Sequence, residues 1–336
     1  PKGSEVMHET VKVKLDPAKF NIEEGPASFR ALAWDYSWRA FGKGSRTELM
    51  ADVVIDLRPP VISPVSSQHN IRQGGSGLVV YSVSKAVSKT GVWVNDKFYP
   101  GFAGYALNDP NLYLAFVALE NEAPKETKLK VEAVDQAGNR AEVEVYSYIK
   151  PYKFPYDKIN ISDNFLRKVV PPFYPEVTAD TPVSELLEKY IHVNSVTRVE
   201  NDVKLQEITA KSEPLMYWEG AFLSLPNGAT RAVYGNKRDY IYGGKVVDQQ
   251  THLGYDLASL ANAEIPAANR GRVVFTGDLG IYGLTVVIDH GFNLFSLYAH
   301  MSSIGVAVGD IVEKGDTLGR TGVTGLAVGD HLHYSM

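Results

Sequence analysis

Residues 271–300, GRVVFTGDLGIYGLTVVIDHGFNLFSLYAH, decide the fold of the last part of the chain. Short apolar runs alternate with glycine, and runs of this length between glycines are typical of β-strands. The same texture continues through residues 305–319, GVAVGDIVEKGDTLG. Short connections favour antiparallel pairing, since parallel strands need long crossovers. We therefore predict a compact antiparallel sheet, or two stacked sheets, over residues 231–336.

The first 150 residues also favour β structure. Residues 129–145, LKVEAVDQAGNRAEVEV, are two strand-like runs around a hairpin turn signal. Residues 29–37, FRALAWDYS, have the same shape, and each copy is followed by a second apolar run and then by proline. This repeat predicts tandem immunoglobulin-like modules, with a partial one over residues 1–60 and a complete β-sandwich over residues 61–150.

Residues 151–230 are mixed, and we expect a linker region with a helix. Within it, TPVSELLEKYIHVNSVTR opens with Thr181 as a plausible N-cap and Pro182 at the first helical position. Four apolar side chains share one helical face: Leu186, Leu187, Tyr190 and Ile191. The chain as a whole is thus predicted to be mainly β, with β-sandwich modules first and an antiparallel sheet domain last.

Composition excludes several classes of site. The 336-residue chain has a net charge of −5, unlike the basic surface of nucleic-acid binders, so we expect no nucleic-acid partner. It contains no cysteine, which excludes disulfides, cysteine-ligated zinc and a thiol nucleophile. No apolar run is long enough to span a bilayer. Histidine, aspartate and glutamate remain as the available metal ligands.

Five of the eight histidines lie after residue 250, and two of them occur in HLHYSM, residues 331–336. In a strand, His331 and His333 would face the same side, roughly 7 Å apart along the chain. Two imidazoles so placed can converge on one ion, or one can bind while the other works beside it. Taken alone, this pair is weak evidence, because short His-x-His matches arise by chance.

A second motif, THLGYDL, places Asp256 four residues after His252. In a fully extended strand the two side chains would be about 13 Å apart, too far to share an ion. The chain must bend between them, and Gly254 permits such a bend. Together with the histidine pair, this motif supplies two imidazoles and a carboxylate, a known zinc ligand set that leaves a fourth position open for water.

Four motifs occur in order along the last third of the chain: HLGYD, SLYAHMS, GDIVEKGDTLGRTGVTG and GDHLHY. From Tyr234 to Met336 the sequence thereby resembles the lysostaphin/LytM-type zinc metallo-endopeptidases. The resemblance implies a peptidase domain over residues 231–336, truncated at its C-terminal end. It also implies hydrolysis of peptide bonds in the stem peptides or cross-bridges of peptidoglycan. The implied location is the cell envelope, periplasmic or extracellular, with a membrane anchor outside this sequence as one option.

The resemblance also assigns roles to individual residues. His252, Asp256 and His333 become the ligands of a Zn²⁺ cofactor. His331 becomes the general base, and His300 stabilises the oxyanion or relays a second proton; the sequence does not separate these two roles. Zinc-bound water would be the nucleophile, because zinc lowers the pKa of its water to about 7. A histidine must carry the proton, since no helical His-Glu-x-x-His motif is present.

The other histidines are predicted to lie outside the chemistry. His192 and His290 are interpreted as structural, and His8 and His69 as surface residues. A basic cluster just before the site favours a solvated loop over contact with peptidoglycan carboxylates. Its members are Arg231, Lys237, Arg238 and Lys245.

Alternative functions stay open. A LytM-like regulator of another wall hydrolase would be non-catalytic, although such proteins usually lose metal ligands and all three are present here. The same zinc chemistry could act on a protein substrate instead, and cell-envelope proteins are conceivable partners. An adhesin with incidental histidines would need every motif to occur in order by chance. A latent form, in which residues 151–230 fold over the zinc, is a further hypothesis.

Overall fold

The computed structural model describes residues 17–34, 46–105 and 109–336. Within these ranges the protein is mainly β, as predicted. The described part of the first module is an antiparallel ribbon of β1 (Gly25–Trp34) and β2 (Arg46–Ile55). The rest of the partial module predicted over residues 1–60 includes residues 1–16 and 35–45, which lie outside the described ranges, and so does His8. None of the helices in the described ranges is long and apolar enough to cross a membrane.

Two four-stranded antiparallel sheets share one hydrophobic core between residues 62 and 150. The first sheet has the order β3 (Ile62–Pro64), β5 (Ser76–Val83), β9 (Leu112–Ala118) and β8 (Phe102–Ala103). The second has the order β11 (Arg140–Val145), β10 (Leu129–Asp135), β6 (Val87–Val94) and β7 (Lys97–Pro100). The predicted hairpin of β10 and β11 is confirmed. This strand order agrees with that of an immunoglobulin-like sandwich. The immunoglobulin-like identity of residues 61–150 stays a prediction.

A short parallel pair closes this module, formed by β4 (His69–Arg72) and β12 (Ser147–Lys150). The prediction that His69 lies on the surface is wrong, because this pairing covers it. Its side chain is buried, and its ring nitrogens lie 2.7 Å from Ser66 Oγ and 2.7 Å from the Tyr146 carbonyl oxygen.

Residues 151–230 contain more structure than one helix in a linker. They form β13 (Tyr156–Asn160), α1 (Asp163–Val169), α2 (Val183–His192) and α3 (Arg198–Ile208), and a π-helical turn over Val193–Thr197 joins the last two helices. The N-cap of α2 is Pro182, one residue later than predicted. The hydroxyl of Thr181 instead accepts a hydrogen bond from the Thr178 backbone N–H at 3.0 Å.

The predicted apolar face of α2 is confirmed. Leu186 and Tyr190 are fully buried against α1 and Tyr240, with Leu187 and Ile191 partly buried beside them. Because Tyr240 belongs to the last part of the chain, this core joins the helical region to the carboxyl-terminal sheets.

We expect Leu186→Ala to lower the free energy of unfolding of this helical region by about 3 kcal/mol, because truncation leaves a cavity in a closed core. Hydrogen exchange of peptides covering residues 163–208 would measure the loss. Val199→Ala is the matched control, since Val199 is 62% exposed and its truncation should change stability by less than about 0.5 kcal/mol. Equal exchange in the two variants would contradict the packing of α2.

The predicted antiparallel sheet in the last part of the chain is confirmed. Its main path has the order β14 (Ala229–Ala232), β17 (Tyr255–Ala258), β24 (Leu332–Ser335), β21 (Phe295–Ile304), β20 (Leu284–Asp289), β19 (Gly271–Asp278) and β22 (Ile311–Val312). Strands β18 (Glu264–Pro266) and β23 (Thr317–Thr321) extend it, with β23 pairing with β21. A separate sheet contains β13, β15 (Lys237–Tyr242) and β16 (Lys245–Thr251), so residues 151–230 contribute a strand beside the site.

Candidate metal centre

Three side chains from distant parts of the chain meet at one end of the long sheet. Asp256 in β17 pairs directly opposite His333 in β24. Directly opposed residues of antiparallel strands place their side chains on the same face. His252 reaches the same point from the loop between β16 and β17. The Asp256 Oδ1 atom lies 2.9 Å from His252 Nε2 and 2.9 Å from His333 Nδ1, and the two nitrogens are 3.0 Å apart.

The outer ring nitrogens of both histidines are already used by oxygen acceptors. His252 Nδ1 donates to the Val233 carbonyl oxygen at 3.1 Å. His333 Nε2 lies 3.3 Å from Ser335 Oγ, whose own proton goes to the Leu253 carbonyl oxygen at 2.6 Å. These partners assign the ring protons to the outer nitrogens, so the neutral rings direct their lone pairs inward. Three electron-rich atoms then face one another, and a shared cation would stabilise them.

The ionisation of these groups supports the same arrangement. Burial lowers the pKa of His333 to about 4, so its ring is neutral near pH 7. Burial alone would raise the pKa of Asp256, but its contacts with His252, His331 and His333 outweigh burial and hold this pKa far below its usual range. Asp256 is therefore a carboxylate and His333 a neutral imidazole at neutral pH, which are the states that bind metals.

Zinc fits this donor set. Two imidazole nitrogens and a carboxylate oxygen are ligands that zinc takes, whereas magnesium and calcium prefer oxygen ligands alone. Donors at 2.0–2.2 Å from a tetrahedral ion lie roughly 3.3–3.6 Å apart, so the observed contacts need only a slight opening. The same three residues line an open cleft, which leaves one side of the group accessible.

Gly254 is required by the close approach of His333. A Cβ atom at residue 254 would lie 2.6 Å from His333 Nε2 and 2.5 Å from Ser335 Oγ, closer than real Cβ contacts. The predicted bend between His252 and Asp256 is present, because residues 252–254 lie outside the strands on either side. The glycine therefore makes room for the histidine of the opposite strand as well as for the bend.

His331 and His300 lie beside this group but do not belong to it. His331 Nδ1 contacts the Gly329 carbonyl oxygen at 2.7 Å, and its Nε2 is 3.6 Å from Asp256 Oδ1. Burial disfavours the imidazolium of His331, but its contact with Asp256 outweighs this and raises its pKa. His300 Nδ1 contacts the Thr324 carbonyl oxygen at 2.8 Å, and the His300 and His331 ring centroids are 4.8 Å apart.

The backbone of His300 explains where its ring points. His300 has φ +60°, and an extra residue in β21 shifts the register against β20 at this position. A β-bulge re-aims a side chain, and a positive φ is uncommon for a residue other than glycine. Burial lowers the pKa of His300 to about 3, which keeps the ring neutral. Strand β21 is thus distorted at His300, where the His300 ring lies beside that of His331.

Sequence reasoning missed the contribution of Arg238. The expected solvated loop is strand β15, and Arg238 Nη2 lies 3.2 Å from Asp256 Oδ2. Its side chain is only 19% exposed. Arg238 therefore holds the carboxylate oxygen that faces away from the two histidines. No local signal could have shown this, because the contact depends on the pairing of separate sheets. His290, as interpreted, lies apart, bonded to Ser296 Oγ and the Arg270 carbonyl oxygen.

The cleft in front of the group has a volume of about 400 Å³. One wall comes from the long sheet and from residues 326–331. Residues 151–230 line another part of the cleft through β13 and the helices, including Phe165, Tyr190 and Arg198. These residues border the cleft without reaching into the contacts among His252, Asp256 and His333.

Comparison with known proteins assigns the carboxyl-terminal domain. Residues 250–336 match the model of Peptidase family M23. The DD-carboxypeptidase/endopeptidase Mpg of Neisseria meningitidis serogroup B is 39% identical over 83 residues, which are 25% of this chain and 19% of that protein. The peptidoglycan DD-endopeptidase ShyA of Vibrio cholerae serotype O1 is 36% identical over 85 residues, 25% of this chain and 20% of that protein.

Among solved structures, the catalytic domain of the antimicrobial peptidase lysostaphin from Staphylococcus simulans is similar to this chain. It is 28% identical, covers 33% of this chain and 80% of that chain, and has a TM-score of 0.27. The chain spans about a fifth of the length of the curated relatives it matches. Residues 250–336 of this chain are a domain of peptidase family M23, which confirms the resemblance indicated by the sequence motifs.

Proposed function

We propose that this protein is a zinc-dependent endopeptidase of the cell envelope that hydrolyses peptide bonds in peptidoglycan stem peptides or cross-bridges. One observation carries the proposal: His252 Nε2, His333 Nδ1 and Asp256 Oδ1 converge with their lone pairs directed at one point beside an open cleft. The substrate class follows the named relatives, two of which are DD-endopeptidases by name.

In this proposal His252, Asp256 and His333 hold the ion, and Arg238 orients the carboxylate. Bound zinc would polarise the scissile carbonyl and lower the pKa of a water molecule at the open position. His331 and His300 both donate Nδ1–H to backbone carbonyls, so each presents an Nε2 that can accept a proton. His331 would serve as the general base. His300 would relay a second proton, or stabilise the oxyanion once its Nε2 has taken up a proton, and the two histidines could exchange these roles.

The proposed domain organisation follows from the same cleft. The peptidase domain of residues 231–336 would work with residues 151–230 as its second wall, while the amino-terminal β modules position it. Because the helical region borders the cleft and leaves the three converging atoms free of its own donors, the structure favours a substrate wall over the latent form.

Digestion of purified peptidoglycan tests the proposed function. The zinc-loaded protein is expected to release peptides that mass spectrometry identifies as products of peptide-bond cleavage. A chelator should abolish release, and one equivalent of zinc should restore it. A protein that binds zinc but releases nothing from the wall would contradict the proposal and favour a regulator. Cleavage of a protein substrate but not of peptidoglycan would indicate that the same zinc chemistry acts on a protein.

A further inference from the structure

Arg198 stands at the start of α3, immediately after the π-helical turn Val193–Thr197. It lines the cleft but lies outside the family-matched residues 250–336. π-helical turns inside helices are rare and are frequent at functional sites. A π-helical turn is wider than an α-helical one and shifts the side chains that follow it, and Arg198 is the first residue after it.

The π-helical turn buries Asn194, and Asn194 holds Arg198. Asn194 is 0% exposed. Its Oδ1 accepts a hydrogen bond from Arg198 Nη2 at 2.6 Å, and its backbone carbonyl accepts one from Arg198 Nε at 2.9 Å. Its Nδ2 donates to Asp248 Oδ2 at 2.6 Å. Asp248 in turn accepts hydrogen bonds from Gln250, so a chain of partly buried contacts pre-positions the guanidinium.

This chain of contacts orients Arg198 without neutralising it. A guanidinium has five N–H donors, and the contacts with Asn194 use two of them on neutral oxygens. Among the described residues, Arg198 makes no ion pair with a carboxylate. Asp202, one turn further along α3, feels the charge of Arg198, but the hydrogen bond that its Oδ1 accepts comes from the Tyr282 hydroxyl at 3.4 Å.

The other acidic side chains of the cleft are already engaged. Asp157 Oδ2 accepts from Asn236 Nδ2 at 2.6 Å. Asp330 accepts from Thr321 Oγ1 at 2.6 Å and from the Asn262 backbone N–H at 3.0 Å. The cleft therefore offers a half-buried, pre-oriented cation with unused donors, and no acid in the described ranges forms an ion pair with it.

We propose that Arg198 is a substrate-recognition residue that binds a carboxylate of the peptide lying in the cleft. The inference rests on the proposed function, since it assumes that a peptide occupies this cleft. A planar guanidinium matches a carboxylate with two parallel hydrogen bonds, and these charge-assisted bonds are strong. The carboxylate is either the C-terminal one of the peptide or one on a side chain.

Binding of small peptides tests this assignment without turnover. All proteins carry His331→Ala to stop hydrolysis, and zinc is bound throughout. The probes are diacetyl-L-lysyl-D-alanyl-D-alanine, its C-terminal amide, and an amide that carries a glutamyl side-chain carboxylate instead. Calorimetry is expected to show that one of the acids binds about 10- to 100-fold more tightly than the uncharged amide. The acid that gains affinity identifies the source of the carboxylate.

Arg198→Met should remove this preference by weakening the acid and leaving the amide unchanged. Lys204→Met is the matched control, because Lys204 lies on the same helix, pairs with Glu207 and loses the same charge away from the cleft. Equal loss of acid and amide binding in Arg198→Met, an unchanged preference, or no binding of any probe would overturn the assignment. Failure of the wild-type protein to digest peptidoglycan would refute the proposed function alone, since the binding preference is measured separately.

Discussion

Asp256→Ala is expected to abolish zinc binding and, with it, all measurable hydrolysis of peptidoglycan peptides. The Asp256 Oδ1 atom contacts both His252 Nε2 and His333 Nδ1 at 2.9 Å. Without it, two imidazoles remain to hold the ion, and the Arg238 guanidinium loses its carboxylate partner. The loss of affinity should exceed the about 10- to 100-fold that removal of an outer-shell partner costs. Metal analysis of the purified variant, together with the digestion assay, measures both effects.

Asp310→Ala is the matched control for this variant. Asp310 lies in a turn of the same domain, where its carboxylate accepts a hydrogen bond from the Ala307 backbone N–H at 2.8 Å. Its removal should leave one zinc per chain and near-normal turnover. If Asp256→Ala kept its zinc while remaining folded, the metal would have to be held elsewhere, and the proposed ligand set would be wrong.

His331→Ala is expected to lower the rate of hydrolysis by about 10²- to 10⁴-fold while zinc stays bound, because general-base catalysis is worth about that factor. The His331 Nε2 atom stands 3.6 Å from Asp256 Oδ1, beside the three converging atoms rather than among them. Single-turnover rates and zinc content, measured on the same preparation, separate catalysis from metal binding.

The control for His331 is His192→Ala. His192 is exposed and contacts the Tyr174 hydroxyl, so its loss should change neither rate nor zinc content. If His331→Ala lost its zinc, His331 would be a metal ligand, and the proposed division of roles between His331 and His333 would be wrong. An unchanged rate would remove His331 from the mechanism.

Local patterns in the sequence were sufficient where a structural element depends on its own residues. The hairpin of residues 129–145 follows from alternation and turn chemistry, and the buried face of α2 follows from helical periodicity. The need for a bend at Gly254 also followed from distance alone. In each case the deciding constraint lies within a few residues of the feature.

Features that depend on pairing between distant segments could not be predicted in the same way. The register that sets Asp256 opposite His333 links residues separated by most of the domain. The contact of Arg238 with Asp256 and the burial of His69 arise from sheets whose partners the sequence does not name. The π-helical turn before Arg198 has no recognisable local signal, since VNSVT reads as an ordinary helical continuation.

The positions of Asp256 and His333 in the chain would give a bound ion a mechanical role. Strand β17 lies near the start of the peptidase domain and β24 near residue 336, yet they are neighbours in one sheet. A cation held by His252, Asp256 and His333 would act as a crosslink that closes a loop of nearly the whole domain. Closing so long a loop in the unfolded chain is entropically costly, so occupancy of the site and cohesion of the sheet would be coupled.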